Sequence, residues 1–538
     1  MIFTKRFKKT KKLFRDPNPD DVIDAFETYT DGETEMTPDQ LQCFLKEVQG
    51  QLIDNTTDRA KIKRIVEEVI RERHPVSTSL RWQALTFDDF AYYLFSYKFN
   101  PAVSCQVHQD MTAPLTHYFI YASHYSYLTG FDRESECGDE PIIKDLRSGV
   151  RAIDLDLWSD ANDNILVAHG RNLWKHVELG KCLQSIKDNA FVSSAYPVII
   201  TLGDNLTPIF RTHVVKMITR TFGDMLYNHD PGSSKEYPSP EELKFRILIS
   251  TKPPHEQLDA DDVKGKDSEQ SIFAWMMQND HEKVCYQRLI AIHYFRIYEG
   301  IQKVWKFQES KNKWLSLTEQ SLEKVIASYG TDVTRFTQRN FLRIYPKGST
   351  NKYFNCKPRN SWMNGAQMIA FNMQGYGEAL WLMHGMFRGN GGCGYIKKPD
   401  LLMNFGPSND FFDPKENLRV KKTLKVKVLI GDGWHIEFMK NNFDHDFPPS
   451  LYIKMGIAGA PADEIMKTGY NEFSFPLTVP ELALLRVTVH DLTGEYGFPG
   501  QTCLPVSELR QGIRAVPLFD KKGDKLSSIR LLMRFDFL

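Results

Sequence analysis

The chain has 538 residues, so at about 150 residues per domain it holds roughly three or four domains. It carries 68 Lys and Arg against 68 Asp and Glu, a formal net charge of zero that argues against a dedicated nucleic-acid binder. Hydrophobic residues at 41% and charged residues at 25% exclude disorder over the whole length and supply enough apolar surface for several cores.

The first 18 residues form a basic tail. Lys5, Arg6, Lys8, Lys9, Lys11, Lys12 and Arg15 precede the first acid, Asp16, with Ile2, Phe3, Phe7, Leu13 and Phe14 interleaved. Such a segment suits an anionic lipid surface, a transit peptide or a solvated terminus. No continuous apolar core marks a signal peptide, and no run approaches the roughly 20 apolar residues a bilayer span needs. The eight cysteines are scattered without a C-x-x-C pair, which points to a reducing compartment and away from structural zinc.

Residues 19–102 show helical periodicity. Val22, Ile23 and Phe26, then Leu41, Phe44, Leu45 and Val48, recur at helical spacing around Asp31-Gly32-Glu33. The pattern predicts an EF-hand-like helix pair. Its loop lacks the alternating acids and closing Glu of a calcium site, so a structural lobe is expected.

From about residue 103 the texture turns to short β-rich runs separated by helical segments. The runs are HYFIYAS, VRAIDLDLW, NILVAHG, YPVIITLG, FRILIST, NFLRIYPKG, QMIAFNMQG and CGYIKKP. This alternation predicts a TIM-like (β/α)8 barrel in a multidomain α/β protein. Two halves, 103–253 and 286–404, flank an acidic linker at 254–285, whose segment 254–272 has no apolar period. From 415 to 538, alternating runs without long helices predict an antiparallel β-sandwich. The glycine-rich GNGGCG at 389–394 precedes a strand, so a tight turn is expected there and not a phosphate cradle.

Chemistry in such a barrel sits at the C-terminal ends of its strands. His124 follows HYFIYAS, and His169 ends NILVAHG. Asp154 and Asp156, two apart on one strand, face the same side. Asp204 and Asn205, Lys252, and Arg343 with Tyr345 lie at further strand ends. Acids can hold a hard cation, histidines can move protons, and Lys and Arg can receive phosphate oxygens. Singly, each residue is equally at home in a loop or a solvated face. Jointly they describe a metal-assisted phosphoryl-transfer site for an anionic substrate.

Three groups of segments, PLTHYFIYASHYSYLTG with GVRAIDLDLW and ILVAHG, GTDVTRFTQRNFLRIYPKG with NGGCGYIKKPDLL, and LTVPELALLRVTVH with GQTCLPVSELRQGIRAVPLF, resemble plant-type phosphoinositide-specific phospholipase C. They match its X half, Y half and C2 domain in turn. The resemblance implies that His124 stabilises the phosphoryl transition state and that His169 protonates the diacylglycerol oxygen. Asp154 would bind calcium and serve as base toward the inositol 2-hydroxyl, and Asp156 would bind calcium. Lys252, Ser316 and Arg343 would hold ring phosphates, and Tyr345 would pack on the inositol ring.

It also exposes departures. Tyr125 stands where the family has an asparagine ligand, Gly203 where it has a glutamate, and Asp154 is one methylene shorter than the usual glutamate. A weakened Ca2+ site is expected. In the C2 loops Asp444 and Asp446 remain but Ser450 replaces an acid, so docking independent of calcium is expected. Leu173 and Trp174 could form a lipid-touching rim or pack on the barrel. The implied activity is hydrolysis of phosphatidylinositol bisphosphate to diacylglycerol and inositol trisphosphate in calcium-dependent signalling, with weakened turnover. The alternative is a catalytically impaired phosphoinositide-binding membrane protein. A cytoplasmic monomer, peripheral at the plasma membrane, with a phosphoinositide-containing membrane as partner and no nucleic acid, is expected.

Overall fold

The computed structural model describes residues 20–51, 56–75, 83–130, 135–170, 175–228, 236–252, 289–292, 314–346, 355–403, 412–413, 418–434, 451–469, 471–492 and 498–538. The basic tail, the acidic linker from 254 to 285, Leu173 with Trp174, and Asp444, Asp446 and Ser450 lie outside them. The chain divides into two compact units. One joins the N-terminal helices to the C-terminal strands, and the other comprises residues 106–383 with 390–415.

The helices are α1 (Asp20–Thr30), α2 (Pro38–Glu47), α3 (Thr56–Arg73) and α4 (Phe87–Phe95), with short strands β1 (Glu35–Met36) before α2 and β2 (Leu85–Thr86) before α4. Each strand leads into a capping box, Thr37 with Gln40 and Thr86 with Asp89. The cap satisfies amide donors that the first helical turn leaves open. Asp31 and Gly32, both at positive φ, make the turn after α1. Phe44 and Phe90 meet edge to face at 5.1 Å in the core. That core takes in Leu429, Ile430, Ile513 and Leu532 of the C-terminal sheets. Beside it, the buried Arg514 guanidinium donates to Asn100 Oδ1 at 2.9 Å and to the Gln49 carbonyl at 2.7 Å.

The second unit is the barrel. Its staves are β3 (Tyr118–Ile120), β4 (Ala152–Ser159), β7 (Val198–Asp204), β8 (Ile247–Lys252), β9 (Ile290–Ile292), β10 (Trp314–Thr318), β11 (Phe341–Tyr345) and β12 (Met368–Ile369). Adjacent staves pair in parallel along β4, β7, β8 and β9, and along β10, β11, β12 and β3. An Ala122–Ala152 bridge joins β3 to β4. Staves on both sides of the linker therefore hydrogen-bond directly, as β8 does to β9.

Two of the eight runs expected as staves are something else. NILVAHG forms β5 (Ile165–Ala168), antiparallel to β4 and continued by β6 (His176–Glu178). CGYIKKP forms β13 (Tyr395–Lys397), antiparallel to β3. The staves they displaced are β9 and β10. The helices that matter for the site are α5 (Glu140–Arg147), α6 (Leu179–Asn189), α7 (Pro208–Phe222) and α8 (Glu319–Arg339). At the start of β13, Gly394 has φ +84, and a Cβ there would meet the Gly149 carbonyl at 2.2 Å. The glycine-rich segment is thus a tight turn, which only glycine can make at that approach.

The C-terminal strands run from β14 (Lys422–Asp432) through β15 (Leu451–Ala458), β16 (Ile465–Gly469), β17 (Glu472–Leu477), β18 (Leu484–Asp491), β19 (Gly500–Pro505) and β20 (Gly512–Phe519) to β21 (Lys525–Phe537). They pair antiparallel in the order β16-β15-β18-β19-β20-β21-β14-β17. A single residue pair, Gln501 with Phe519, links β19 to β20, so two four-stranded layers face each other. The alternation in EFSFPL, exposed then buried at each step, turns Phe473, Phe475 and Leu477 inward.

Candidate active site

The first stave delivers a compact segment, Ser123 to Tyr127, that closes on β4. His124 is held by its backbone amide to the Phe371 carbonyl at 2.7 Å. Its Nδ1 lies 2.9 Å from Asp154 Oδ2. A carboxylate only accepts, so Nδ1 carries a proton. Arg343 Nη2 donates to the same Oδ2 and stands 3.4 Å from His124 Nδ1. Asp154, His124 and Arg343 are only 2%, 6% and 4% exposed, so this is a buried ion cluster.

Asp156, on the same face of β4, is also buried. Its Oδ2 accepts from the Tyr127 hydroxyl at 2.8 Å. Burial, then the Asp156 charge, push the Tyr127 phenol well above its ordinary range, so it stays a neutral donor.

Tyr125 takes φ +48, a conformation that costs most side chains roughly 1–2 kcal/mol and that asparagine tolerates better. The constraint has a visible outcome. The phenol ring stacks on His124, centroids 3.8 Å apart, and meets His169 edge to face at 4.4 Å. His169 itself stands just past the end of the antiparallel strand β5.

Gly203 of β7 stands in register between Asp156 of β4 and Lys252 of β8. A carboxylate at 203 would join the Asp156 row. Asp204 does not replace it. Its Oδ2 pairs with Arg211 Nε on α7 at 2.6 Å, and its Oδ1 accepts the Leu206 amide at 3.1 Å. Strand alternation turns Asp204 away from the row that Asp156 occupies. Across the barrel, Ser316 of β10 pairs in register with Arg343 of β11, and Thr318 with Tyr345. Ser316 is buried and Tyr345 is half-buried. The structure therefore brings His124, Asp154 and Arg343 into direct contact and reaches His169 through Tyr125. Lys252, Ser316 and Tyr345 are placed by register on neighbouring staves.

The oxygen donors for calcium fall short. Calcium takes six to eight oxygens. Here the carboxylates are Asp154 and Asp156, one oxygen of Asp154 is engaged by Arg343 and His124, and Tyr125 and Gly203 add none. Among the described residues no group of three or more His, Cys, Asp and Glu is arranged to hold a metal ion. Among the described residues these oxygens do not make up a full calcium cage.

Sequence reasoning missed the groups behind these residues. Ser126 Oγ accepts the Asp154 amide at 3.1 Å and lies 2.5 Å from Ser123 Oγ. The signal was the hydroxyl-rich run SHYSY around His124.

The phosphatidylinositol-specific phospholipase C X domain matches residues 111–253, and the corresponding Y domain matches residues 290–401. Phosphoinositide phospholipase C 4 of Arabidopsis thaliana is 52% identical over 100% of this chain and 98% of its own length. The chain belongs to the plant-type phosphoinositide-specific phospholipase C family. Phosphoinositide phospholipase C 6 of the same plant is 47% identical, covering 96% of this chain and 94% of its own. The crystal structure of L. pealei PLC21 superimposes with a TM-score of 0.73 at 21% identity, over 96% of this chain and 68% of that one, and shows the shared fold. Phospholipases C of this family are phosphoric diester hydrolases, and calcium dependence is general among them. No helix of the described residues is long and apolar enough to cross a membrane.

Proposed function

We propose that this chain hydrolyses phosphatidylinositol bisphosphate to diacylglycerol and inositol trisphosphate, with turnover held down by Tyr125 and by a depleted calcium site. The Tyr125 ring in contact with both histidines carries this reading. The chemistry implied is an internal attack. The inositol 2-hydroxyl oxygen bonds to phosphorus as Asp154 takes its proton. The bond from phosphorus to the diacylglycerol oxygen breaks, and His169 gives that oxygen a proton. His124, protonated on both nitrogens with its Nδ1–H held by Asp154, donates from Nε2 to the phosphoryl oxygen as charge builds there. Water then opens the cyclic phosphodiester.

Lys252, Ser316 and Arg343 receive the ring phosphates in this scheme, and Tyr345 packs on the ring. To do so, Arg343 must exchange Asp154 for substrate, which frees the carboxylate when the ring phosphates arrive. Asp154 and Asp156 would supply the calcium oxygens that remain. We divide the chain by role into a basic tail (1–18), a helical lobe (19–102), X and Y barrel halves (103–253 and 286–404) around an acidic linker (254–285), and a C2 sandwich (415–538). It works as a monomer in the cytoplasm, peripheral at the plasma membrane, with a phosphoinositide membrane as partner.

The same tyrosine favours a second reading, a phosphoinositide-binding protein without useful turnover. Release of inositol phosphates from mixed micelles across a calcium titration separates the two. The first expects calcium-dependent release that His124→Ala and His169→Ala each reduce by about 10²- to 10⁴-fold. Binding to the micelles without release would establish the second.

A further inference from the structure

The ladder between β4 and β5 stops one step short of the site. Its register runs from Ser159–Ile165 through Trp158–Leu166 to Leu157–Val167 and ends there. One step further Asp156 would stand opposite Ala168, but β4 pairs there with Gly203 of β7 on its other edge. On its far edge β5 still pairs with β6, at Ala168–His176. Towards β4, two side chains reach the Ala168 carbonyl instead. The Tyr127 hydroxyl lies 3.3 Å from it and 2.8 Å from Asp156 Oδ2, and Trp158 Nε1 donates to it at 3.1 Å. Tyr127 is fully buried, and its own carbonyl accepts the Gly138 amide at 2.8 Å, so the phenol enters this gap from a fixed segment. A phenol has one proton to donate. Here it is shared, the nearer carboxylate taking the larger part and the carbonyl the smaller. The residue that follows this carbonyl is His169.

We propose that Tyr127 is a positioning residue for His169. Its hydroxyl ties the Ala168 carbonyl to Asp156 across the end of the β4–β5 ladder and so fixes the peptide that presents the His169 ring to the diacylglycerol oxygen. Asp156 is the anchor, and His169 is the group that is placed. Trp158 holds the same carbonyl from β4 and shares the task. The role presupposes the phospholipase chemistry just proposed, but the hydrogen bonds do not.

Tyr127→Phe removes the hydroxyl and keeps the ring, with its edge contact to Tyr125 at 6.4 Å. On phosphatidylinositol bisphosphate micelles its kcat should fall roughly 10- to 100-fold, the usual cost of losing a hydrogen bond that orients an active-site group. KM should hardly change, because the ring phosphates are received on other staves. A general acid matters less as its leaving group becomes less basic. An inositol phosphodiester with a nitrophenyl leaving group releases an aryl oxide that has little need of a proton from His169. On that substrate Tyr127→Phe should keep most of the parent rate. Trp158→Phe, which leaves Asp156 untouched, should show the same contrast with a smaller loss, and it decides the matter if Tyr127→Phe does not fold by melting temperature. Equal losses on the two substrates would show that the hydroxyl does not act through His169 and would overturn the proposal. A second arm needs no catalysis. With the Tyr127 hydroxyl gone, the Ala168 peptide should open more often, and the Trp158 indole N–H should exchange with solvent roughly 2- to 10-fold faster by nuclear magnetic resonance, as one hydrogen bond of ordinary strength is lost. Unchanged exchange overturns the proposal. A parent without hydrolysis of the lipid fails the phospholipase reading, and the indole exchange then decides by itself whether Tyr127 fixes the Ala168 peptide.

Discussion

Arg343 and Asp154 form a buried ion pair beside a buried histidine, and such pairs are costly to break from one side. Arg343→Ala leaves the Asp154 carboxylate in the barrel interior without its counter-charge. We expect it to lower stability by about 3–5 kcal/mol, measured by urea unfolding. Adding Asp154→Asn should recover part of the loss, because the stranded charge is then gone. An additive double variant would show that the two residues do not act as a pair. At this scale the sequence was legible where strand alternation rules. Asp154 and Asp156 share a face because they are two apart on a strand, and Asp204 leaves that face because it is one past Gly203. What lay beyond reach was the Tyr125 ring. Its identity is visible, but its place between two histidines follows from a positive φ that only the folded segment imposes.

Among the elements, the run-by-run pattern found six of the eight staves. It misassigned β5 and β13, because a short apolar run is compatible with parallel or antiparallel pairing and only the neighbour decides. It missed β9 because three residues carry no period. It missed β10 because WLSLT alternates like an exposed strand while the barrel buries both sides. The sandwich was easier, since strands such as β17 alternate exposed and buried residues. Arg514 joins that sandwich to the helical lobe inside one unit, and burial pulls its guanidinium down to about 9. Arg514→Met should leave the Gln49 carbonyl and Asn100 Oδ1 short of a donor. The expected loss is about 1–3 kcal/mol for each such group, against a partial gain from the methionine packing. Differential scanning calorimetry should show an earlier transition for the lobe and sandwich together. An unshifted transition would mean that the apolar core shared with Leu429 and Leu532 is sufficient alone.

For the whole molecule, the X and Y matches and the relatives aligned over the full length place the chain in the family. Under the proposed function, Tyr125 and Gly203 stand where calcium oxygens are expected, and the Tyr125 ring touches both histidines. That proposal predicts a working phospholipase C with weak calcium coupling. Tyr125→Asn together with Gly203→Glu returns one neutral and one charged oxygen, relieves the positive φ and clears the ring. Gly203 pairs in register with Asp156 on β4 and with Lys252 on β8, so the new carboxylate joins the row of Asp156. The decisive measurement is inositol phosphate release from mixed micelles against calcium for the parent and this double variant, both folded by melting temperature. The account predicts a lower calcium midpoint and a higher maximal rate in the double variant. An unchanged midpoint in a well-folded variant would contradict it, because these positions would then not govern the metal.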